Sequence, residues 1–364
     1  MRATFAILLI ILLLVGVGFS YLWLRPTSTP LILDDNGDPR PESIASLETI
    51  ELGGMQQWLL IRGEDTSDPV LLWLHGGPGA AQMPVARAFN GALEQEFVVV
   101  DWDQRGAGKS NPPDFDEASM TFQQYLDDAH TLTGYLQQRF EQEKIYLLGH
   151  SWGSQIGLRL VQAYPEDYHA YIGVSQVVEA GLAQQVGYDW LREQIQARGD
   201  EKALRQLEAL GQPPYRDHAT FVSYVQLVDA FGGDFDVSML KLFWAAARAP
   251  EYNLADLQAW LRGANRGSGP MWDDPKCQYF NALADVPRLE IPVYFFNGQN
   301  DYNTPLQVTR AYFDALEAPA GKTLVVFEHS AHTPFMAEAQ KFNQELLRVK
   351  AETRVESIEG ILDQ

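Results

Sequence analysis

The chain has 364 residues, of which 46% are hydrophobic and 21% are charged, a composition typical of folded globular proteins and not of disordered or fibrous ones. Its 27 basic and 48 acidic side chains give a formal net charge of −21, which repels phosphate backbones and argues against nucleic acid as a partner. The single cysteine, Cys277, excludes an intramolecular disulfide and every metal site built on several cysteines.

An apolar run stands near the start of the chain. Residues 5–24 read FAILLIILLLVGVGFSYLWL and carry no charge, and as a helix they would span about 30 Å, the hydrocarbon thickness of a bilayer. A cleaved signal peptide is the alternative, but its apolar region is shorter and ends in a small-residue cleavage site, which this run supplies poorly. We predict an uncleaved single-pass anchor over residues 1–25. Because Asp34, Asp35 and Asp38 leave the downstream side short of positive charge, we expect the folded body on the extracytoplasmic side.

The next segment, residues 26–45, has the composition of a linker. Polar residues surround four prolines in it, Pro26, Pro30, Pro39 and Pro41. Each proline removes a backbone donor, so this segment is expected to act as a tether. We expect the folded body to begin near Ser46.

Strand-like runs and longer amphipathic stretches alternate along the body. The runs VLLWLHGG and FVVVDWDQ precede the helix-like TFQQYLDDAHTLTGYLQQRF, and KIYLLGHS leads into WGSQIGLRLVQAY. This alternation predicts a mostly parallel central sheet flanked by helices. Two further strand signals, IPVYFFNG and KTLVVFEHS, come only after Pro287, so the two parts of this core are placed at residues 46–178 and 289–364.

Residues 179–288 separate the two parts of the core. They show helical periodicity, are rich in Trp and Tyr, and contain no strand-like run. This pattern predicts a helical insertion into the sheet. We expect it to form a cap over the carboxyl ends of the strands, where open α/β sheets bind their ligands.

The segment from Gly149 to Gly153 reads GHSWG and fits the pattern G-x-S-x-G. It lies directly after the strand-like KIYLLG and directly before a helical stretch, the context in which a sharp turn lifts a serine hydroxyl off the sheet edge. Ser151 is therefore the candidate nucleophile. The alternative is that Ser151 only caps the following helix.

A serine hydroxyl is a weak nucleophile at neutral pH and needs an imidazole base and a carboxylate that orients it. The chain order expected on such a sheet is Ser, then Asp or Glu, then His. Asp301 follows the strand-like IPVYFFNGQN and His332 follows KTLVVFE, so both are expected at the same sheet edge as Ser151. A turn or helix-capping role is the alternative for Asp301, and His329 is the rival base. We expect neither a metal nor a cofactor at this site.

The oxyanion that forms during acyl transfer needs two N–H donors, one from the residue after the nucleophile and one from the loop after an earlier strand. Trp152 supplies the first. The second is expected from the loop His75–Gly79, which reads HGGPG. Gly77 is favoured there, with Gly76 as the alternative.

Five motifs together resemble the prolyl aminopeptidases (proline iminopeptidases) of the α/β-hydrolase superfamily: HGGPG, DQRGAGKS, GHSWGS, GQNDYNTP and HSAHTPF. The resemblance implies the α/β-hydrolase fold, the triad Ser151, Asp301 and His332, and the oxyanion donors Gly77 and Trp152. It also implies a helical cap that selects the substrate. The chain departs from the family in two respects: His150 precedes the nucleophile where glycine is usual, and the cap lacks a Trp-Glu pattern. The cap offers carboxylates that could bind a substrate amine, such as Glu179, Glu193 and Glu251, and the sequence assigns none of them to that role.

The sequence thus predicts a membrane-anchored serine hydrolase that releases an N-terminal residue, with proline as a candidate, from short peptides. A carboxylesterase or lipase is the alternative, in which cap tryptophans would form an acyl pocket instead of ordinary core: Trp190, Trp244, Trp260 and Trp272. A non-enzymatic scaffold of the same fold is a further alternative, but such a protein would be expected to lack at least one member of the triad.

Overall fold

The computed structural model describes Ser20, Leu22, Trp23 and residues 25–266 and 268–362. Most of the predicted membrane anchor therefore lies outside the described residues. Within the described part of the chain, no helix is both long enough and apolar enough to cross a bilayer.

An eight-stranded sheet forms the centre of the body. Its strands are β1 (Ile44–Leu52), β2 (Met55–Gly63), β3 (Val70–Leu74), β4 (Val98–Asp103), β5 (Ile145–His150), β6 (Tyr168–Val174), β7 (Val293–Gly298) and β8 (Lys322–Phe327). Their spatial order is β1-β2-β4-β3-β5-β6-β7-β8. Strand β2 pairs antiparallel with β1 and with β4, and the remaining neighbours are parallel. The predicted mostly parallel sheet is confirmed.

Helices cover both faces of the sheet. In chain order they are α1 (Met83–Asn90), α2 (Phe122–Phe140), α3 (Trp152–Ala163), α4 (Ala180–Arg198), α5 (Glu201–Leu210), α6 (His218–Ala230), α7 (Met239–Arg248), α8 (Leu254–Arg266), α9 (Ser268–Trp272), α10 (Pro275–Gln278), α11 (Ala282–Asp285), α12 (Leu306–Ala315), α13 (Pro334–Ala337) and α14 (Ala339–Leu362). Leu72 and Leu74 of β3 pack into the core shared with α2, α3 and α12, whereas Leu71 and Trp73 face α1 and α14. Because successive side chains of a strand point to opposite faces, one apolar run supplies both cores.

Helices α4 to α11 all lie between β6 and β7 in the chain. They fall in residues 179–288, the segment predicted as a helical cap, which is called the cap below. The cap has an apolar cluster of its own, centred on Tyr188, Leu191, Ile195, Leu207, Tyr224 and Val228. This cluster holds α4 to α6 together, whereas Leu257 and Trp260 of α8 pack into the core beside the sheet.

Hydrogen bonds fix the first part of the predicted linker against the body. The side chain of Thr29 donates to Glu251 (2.8 Å), and Lys109 donates to the hydroxyl of Thr27 (3.1 Å). The guanidinium of Arg62 donates to the carbonyl oxygen of Pro30 (2.6 Å). The expectation of a tether is wrong for these residues, since their hydroxyl and carbonyl groups find partners on the core and on the cap.

Candidate active site

Ser151 lies in the turn between β5 and α3. Its backbone has φ +51° and ψ −121°, a combination that residues with a side chain rarely adopt. The turn is tight: a Cβ on Gly149 would lie 2.5 Å from the carbonyl oxygen of Gly153, and a Cβ on Gly153 would lie 2.3 Å from that of Leu74. Small residues are therefore required on both sides of Ser151, which explains the spacing of the motif.

The structure brings the three predicted triad residues together. The hydroxyl oxygen of Ser151 is 2.9 Å from Nε2 of His332, and Nδ1 of His332 is 3.0 Å from Oδ2 of Asp301. Asp301 also accepts hydrogen bonds from the backbone N–H (2.8 Å) and the hydroxyl (2.7 Å) of Thr304. When Nδ1 donates its proton to Asp301, Nε2 is free to accept the proton of Ser151, as a general base must.

His329, the rival base, lies elsewhere. It is exposed, and its backbone N–H donates to Glu338. The structure gives it no contact with Ser151 among the described residues, so the geometry favours His332 as the partner of the hydroxyl.

Burial and the neighbouring charges act in opposite directions on the pKa values of His332 and Asp301. Burial alone would lower the pKa of His332 and raise that of Asp301, because it disfavours both charged forms. The attraction between the two side chains prevails, so the pKa of His332 is raised and the pKa of Asp301 is lowered. The pair therefore favours an imidazolium beside a carboxylate, the charge state that proton abstraction from Ser151 creates.

Asp234, in the cap loop between α6 and α7, is a buried carboxylate beside His332. Its carbonyl oxygen accepts the backbone N–H of His332 (2.8 Å), and its side chain accepts a hydrogen bond from Asn303 (3.1 Å). Burial raises the pKa of Asp234 to about 6, and its charge in turn raises the pKa of His332. Asp234 lies in none of the five motifs named above.

The same cap loop, residues 233–236, contacts both catalytic loops. The carbonyl oxygen of Gly233 accepts the N–H of Tyr302 (2.8 Å), next to Asp301. The carboxylate of Asp236 accepts the N–H of Ala331 (2.6 Å), next to His332. The loop therefore fixes the positions of the acid and the base relative to each other.

His150 stands directly before Ser151, where the family usually has glycine, and its contacts give this histidine a structural role. It is buried, and burial lowers its pKa to about 3, so the imidazole is neutral. Its Nε2 lies 3.0 Å from the carbonyl oxygen of His332, which also accepts the hydroxyl of Ser175 (3.0 Å). His150 thus helps to hold the loop that carries His332.

Gly77 and Trp152, the predicted oxyanion donors, line the same cavity as Ser151. Neither backbone N–H has another hydrogen-bond partner among the described residues. Trp152 is the first residue of α3, where backbone N–H groups lack partners within the helix. Gly76, the alternative donor, does not line this cavity. The assignment of the two donors stays a prediction that this arrangement favours.

The cavity above Ser151 has a volume of about 290 Å³ and lies between the sheet edge and the cap. Most of its wall is apolar or aromatic, with Val178, Tyr215, Phe221, Met271 and Trp272 among the lining residues. Its only charged lining residues in the described structure are Glu179 and Arg216. No group of three or more described His, Cys, Asp or Glu residues is arranged to hold a metal ion.

Of the cap carboxylates Glu179, Glu193 and Glu251, Glu179 alone lines this cavity. It precedes α4, and its side chain accepts the backbone N–H groups of Gly181 (3.0 Å) and Leu182. These bonds hold the carboxylate in place at the cavity wall. Glu251 is instead buried in an ion pair with Arg87 (2.9 Å), away from Ser151.

The four cap tryptophans are dispersed. Only Trp272 lines the cavity, where its ring stacks on Phe221 with centroids 4.3 Å apart. Trp260 is buried and donates to a carbonyl oxygen of the core, and Trp190 stacks on Tyr302. Trp244 is exposed on α7. The structure therefore does not assemble an acyl pocket from all four.

Residues 69–339 match the family model of the alpha/beta hydrolase fold. The chain is 33% identical to the probable aminopeptidase YbaC of Bacillus subtilis (strain 168), over 85% of this chain and 98% of that protein. It is 26% identical to a proline iminopeptidase of Lactobacillus delbrueckii subsp. lactis, over 82% of this chain and 95% of that protein. The solved proline iminopeptidase of Mycobacterium smegmatis has the same fold, with a TM-score of 0.64 and 20% identity, over 86% of this chain and 100% of that one. The resemblance predicted from the five motifs is confirmed.

Proposed function

Because the chain belongs to the α/β-hydrolase family, we propose that this serine hydrolase is an aminopeptidase that releases the N-terminal residue of short peptides through an acyl-enzyme. The observation that carries the proposal is the hydrogen-bonded series Ser151, His332 and Asp301, beside a cavity in which Glu179 is the only carboxylate among the described lining residues. The names of the relatives support an amide substrate with a free N-terminus.

The geometry supports a two-step transfer. The hydroxyl oxygen of Ser151 attacks the carbonyl carbon while Nε2 of His332 takes the hydroxyl proton, and the N–H groups of Gly77 and Trp152 stabilise the oxyanion. When the intermediate collapses, the C–N bond breaks and His332 returns the proton to the leaving amine. Water then attacks the ester in the same way, with His332 again as base, and regenerates the hydroxyl of Ser151.

Glu179 is the residue we assign to the substrate's ammonium group. A buried ammonium needs a paired charge, and among the described residues that line the cavity only Glu179 carries a negative one. An N-terminal amine near Glu179 would limit cleavage to the first peptide bond. The proline iminopeptidases among the relatives make an N-terminal proline the first residue to test.

A carboxylesterase is the second candidate, and the apolar wall of the cavity favours it. Val178, Phe221, Met271 and Trp272 could pack against an acyl chain as readily as against a side chain. The same triad would hydrolyse an ester, so only the substrate distinguishes the two functions.

The test compares kcat/KM for a free-amine aryl-amide, the N-acetylated aryl-amide of the same residue, and a series of acyl esters. For an aminopeptidase, acetylation leaves Glu179 unpaired and lowers kcat/KM by about tenfold or more. Glu179→Gln should remove most of this preference, whereas Glu193→Gln, an exposed position on the same helix, should keep it. Equal rates for the two amides, with rates that rise along the ester series, would establish the esterase instead.

We also propose that residues 5–24 anchor the enzyme in a membrane, with the body on the extracytoplasmic side. The support is the uncharged run of 20 residues in the sequence. An anchored chain should sediment with membranes, resist a salt wash and dissolve in detergent, and the body should be open to protease added outside. Recovery of a soluble chain that lacks about its first twenty residues would show a cleaved signal peptide.

A further inference from the structure

Helix α7 exposes apolar side chains on its outer face. Leu242 and Ala246 pack inward against the body. Four large apolar side chains point outward, with exposed fractions of 63%, 67%, 47% and 52% for Met239, Leu240, Phe243 and Trp244. A helix that is apolar on both faces normally has both faces covered.

These four residues form one contiguous patch. In a helix, residues four apart lie on the same face, so Met239 is next to Phe243 and Leu240 is next to Trp244 along the helix surface. The ring centres of Phe243 and Trp244 are 6.5 Å apart. Scattered single apolar residues are normal on a protein surface, but adjacent large ones mark a contact site. The patch therefore needs a partner that covers it.

The charge of α7 indicates the kind of partner. The whole chain carries a net charge of −21, yet α7 contains Lys241 and Arg248 and no acidic residue. The guanidinium carbon of Arg248 lies 5.5 Å from the ring centre of Trp244, and Nζ of Lys241 lies 5.3 Å from that of Phe89. Long cationic side chains beside aromatic rings are typical of helices that lie in the interface of a bilayer.

The predicted anchor joins the body beside this helix. Arg25 directly follows the apolar run, and its guanidinium donates to the carbonyl oxygens of Ala249 (3.2 Å) and Tyr252 (2.8 Å), immediately after the last residue of α7. The carbonyl oxygen of Arg25 accepts from the side chain of Asn253 (3.2 Å). Residues 5–24 therefore connect to the body at the C-terminal end of α7.

We infer that the exposed face of α7 lies in the interface of the same phospholipid bilayer that residues 5–24 enter. This inference rests on the proposed membrane anchor. The apolar patch enters the acyl boundary, and Lys241 and Arg248 reach anionic headgroups, which the acidic remainder of the surface would repel. The body is thereby fixed in orientation by two neighbouring contacts, since a single anchor would let it rotate.

A fluorophore placed on α7 in the full chain tests the inference. In a Cys277→Ser background, Phe243→Cys is labelled with an environment-sensitive dye, and Glu208→Cys, exposed on α5, is the matched control. Each labelled chain is reconstituted into vesicles of phosphatidylcholine and phosphatidylglycerol with and without nitroxide-labelled lipid. A thermal melt of each sample checks the fold, and hydrolysis of an aryl-amide tests the proposed activity separately.

The dye at position 243 should shift to the blue in vesicles and lose about half or more of its emission to the nitroxide lipid, whereas the dye at position 208 should do neither. A solvent-like, unquenched dye at 243 on chains that float with the vesicles would overturn the inference and leave the anchor intact. An apolar but unquenched dye would overturn it too, because the patch would then be covered by residues 1–24 or by a second copy. Failure to float would overturn the anchor and the inference together.

Discussion

Ser151 combines an unusual backbone with an ordinary side chain. Its φ of +51° persists because β5, α3 and the catalytic loops surround the turn, and such conformations cost about 1–3 kcal/mol. The strain places the hydroxyl at the sheet edge, 2.9 Å from His332. Alanine keeps the Cβ at this position and removes only the hydroxyl, so a Ser151→Ala variant isolates the chemistry.

We predict that Ser151→Ala and His332→Ala each lower kcat by several orders of magnitude while the melting temperature changes little. A triad acts as a unit, so the double variant should be hardly worse than either single variant. Steady-state kinetics on the best aryl-amide, with thermal melts of each variant, provide the measurement.

His329→Ala is the matched control for the base, because His329 is exposed and three residues away in the same loop. It should stay close to the parent enzyme in kcat/KM. If His329→Ala abolished activity and His332→Ala did not, the triad as drawn from the hydrogen bonds would be incorrect.

We predict a shifted pH profile for Asp234→Asn. His332 acts as a base only when neutral, so kcat/KM should rise with pH as this residue loses its proton, at a pH above its ordinary pKa of 6.5. The charge of Asp234 stabilises the imidazolium and raises the pKa of His332. Its removal should therefore move the rise of kcat/KM to lower pH. Asparagine at this position can still accept the hydrogen bond from the side chain of Asn303.

The measurement is the pH dependence of kcat/KM for the parent, Asp234→Asn and Asp127→Asn, an exposed carboxylate on α2. The Asp127→Asn profile should coincide with that of the parent. An unshifted or upward-shifted profile for Asp234→Asn would show that its carboxylate does not act on His332.

From the sequence one could predict that Ser151, Asp301 and His332 lie together, but not which residues hold them in place. Each of the three residues follows a strand, and parallel strands bring their carboxyl ends to one edge of the sheet. The order of strands and residues along the chain is therefore enough to predict that the three side chains lie close together. Asp234 acts through a contact between the cap and the base loop, which depends on how the cap folds back. The only local signal was a glycine turn followed by two carboxylates, GGDFD at 232–236.

At the scale of elements, the close approach of α3 to β3 limits which residues the turn at Ser151 tolerates. A Cβ on Gly153 would lie 2.3 Å from the carbonyl oxygen of Leu74 and 2.8 Å from that of His75. Both are backbone atoms, so no side-chain rotation can relieve the contact. The helix and the strand would have to separate.

We predict that Gly153→Ala lowers the free energy of unfolding by about 1–3 kcal/mol and reduces activity by moving Ser151. Gly134→Ala is the matched control: Gly134 is exposed within α2, and a Cβ there would meet no atom within 4 Å. Alanine at that position should stabilise the protein by about 0.5–1 kcal/mol. Denaturant unfolding measures the free energy of unfolding of both variants. Equal values would contradict the close packing at the turn that carries Ser151.

Strands were predictable where they are buried on both faces. β3, β4, β5 and β7 are buried along their whole length and read as continuous apolar runs. The sequence does not predict strand β1, which lies at the sheet edge. Most of its residues are partly exposed, so polar and apolar side chains alternate only weakly, as in ETIEL. The order of the strands depends on long-range pairing that no local pattern records.

At the scale of the whole molecule, residues 25–30 connect the core with the cap. Thr29 accepts a hydrogen bond from Arg62 of β2 (2.6 Å) and donates to Glu251 of the cap (2.8 Å). Arg62 and Glu251 are both buried. Loss of Thr29 would remove one hydrogen bond from each of these buried charged groups, and a hydrogen bond to a charged group contributes about 1.5–3 kcal/mol.

The last prediction therefore compares two truncations that differ by six residues. Deletion of residues 1–24 should remove the proposed anchor and leave the kinetic constants close to those of the full chain, because every contact from Arg25 onward is kept. Deletion of residues 1–30 should lower the melting temperature by several degrees or more and reduce activity, because Glu251 and Arg62 lose Thr29 and the loop at 249–253 loses Arg25. Thermal melts and kcat/KM on the same aryl-amide measure both effects. Equal stability of the two truncations would mean that the hydrogen bonds made by residues 25–30 contribute nothing measurable to the stability of the body.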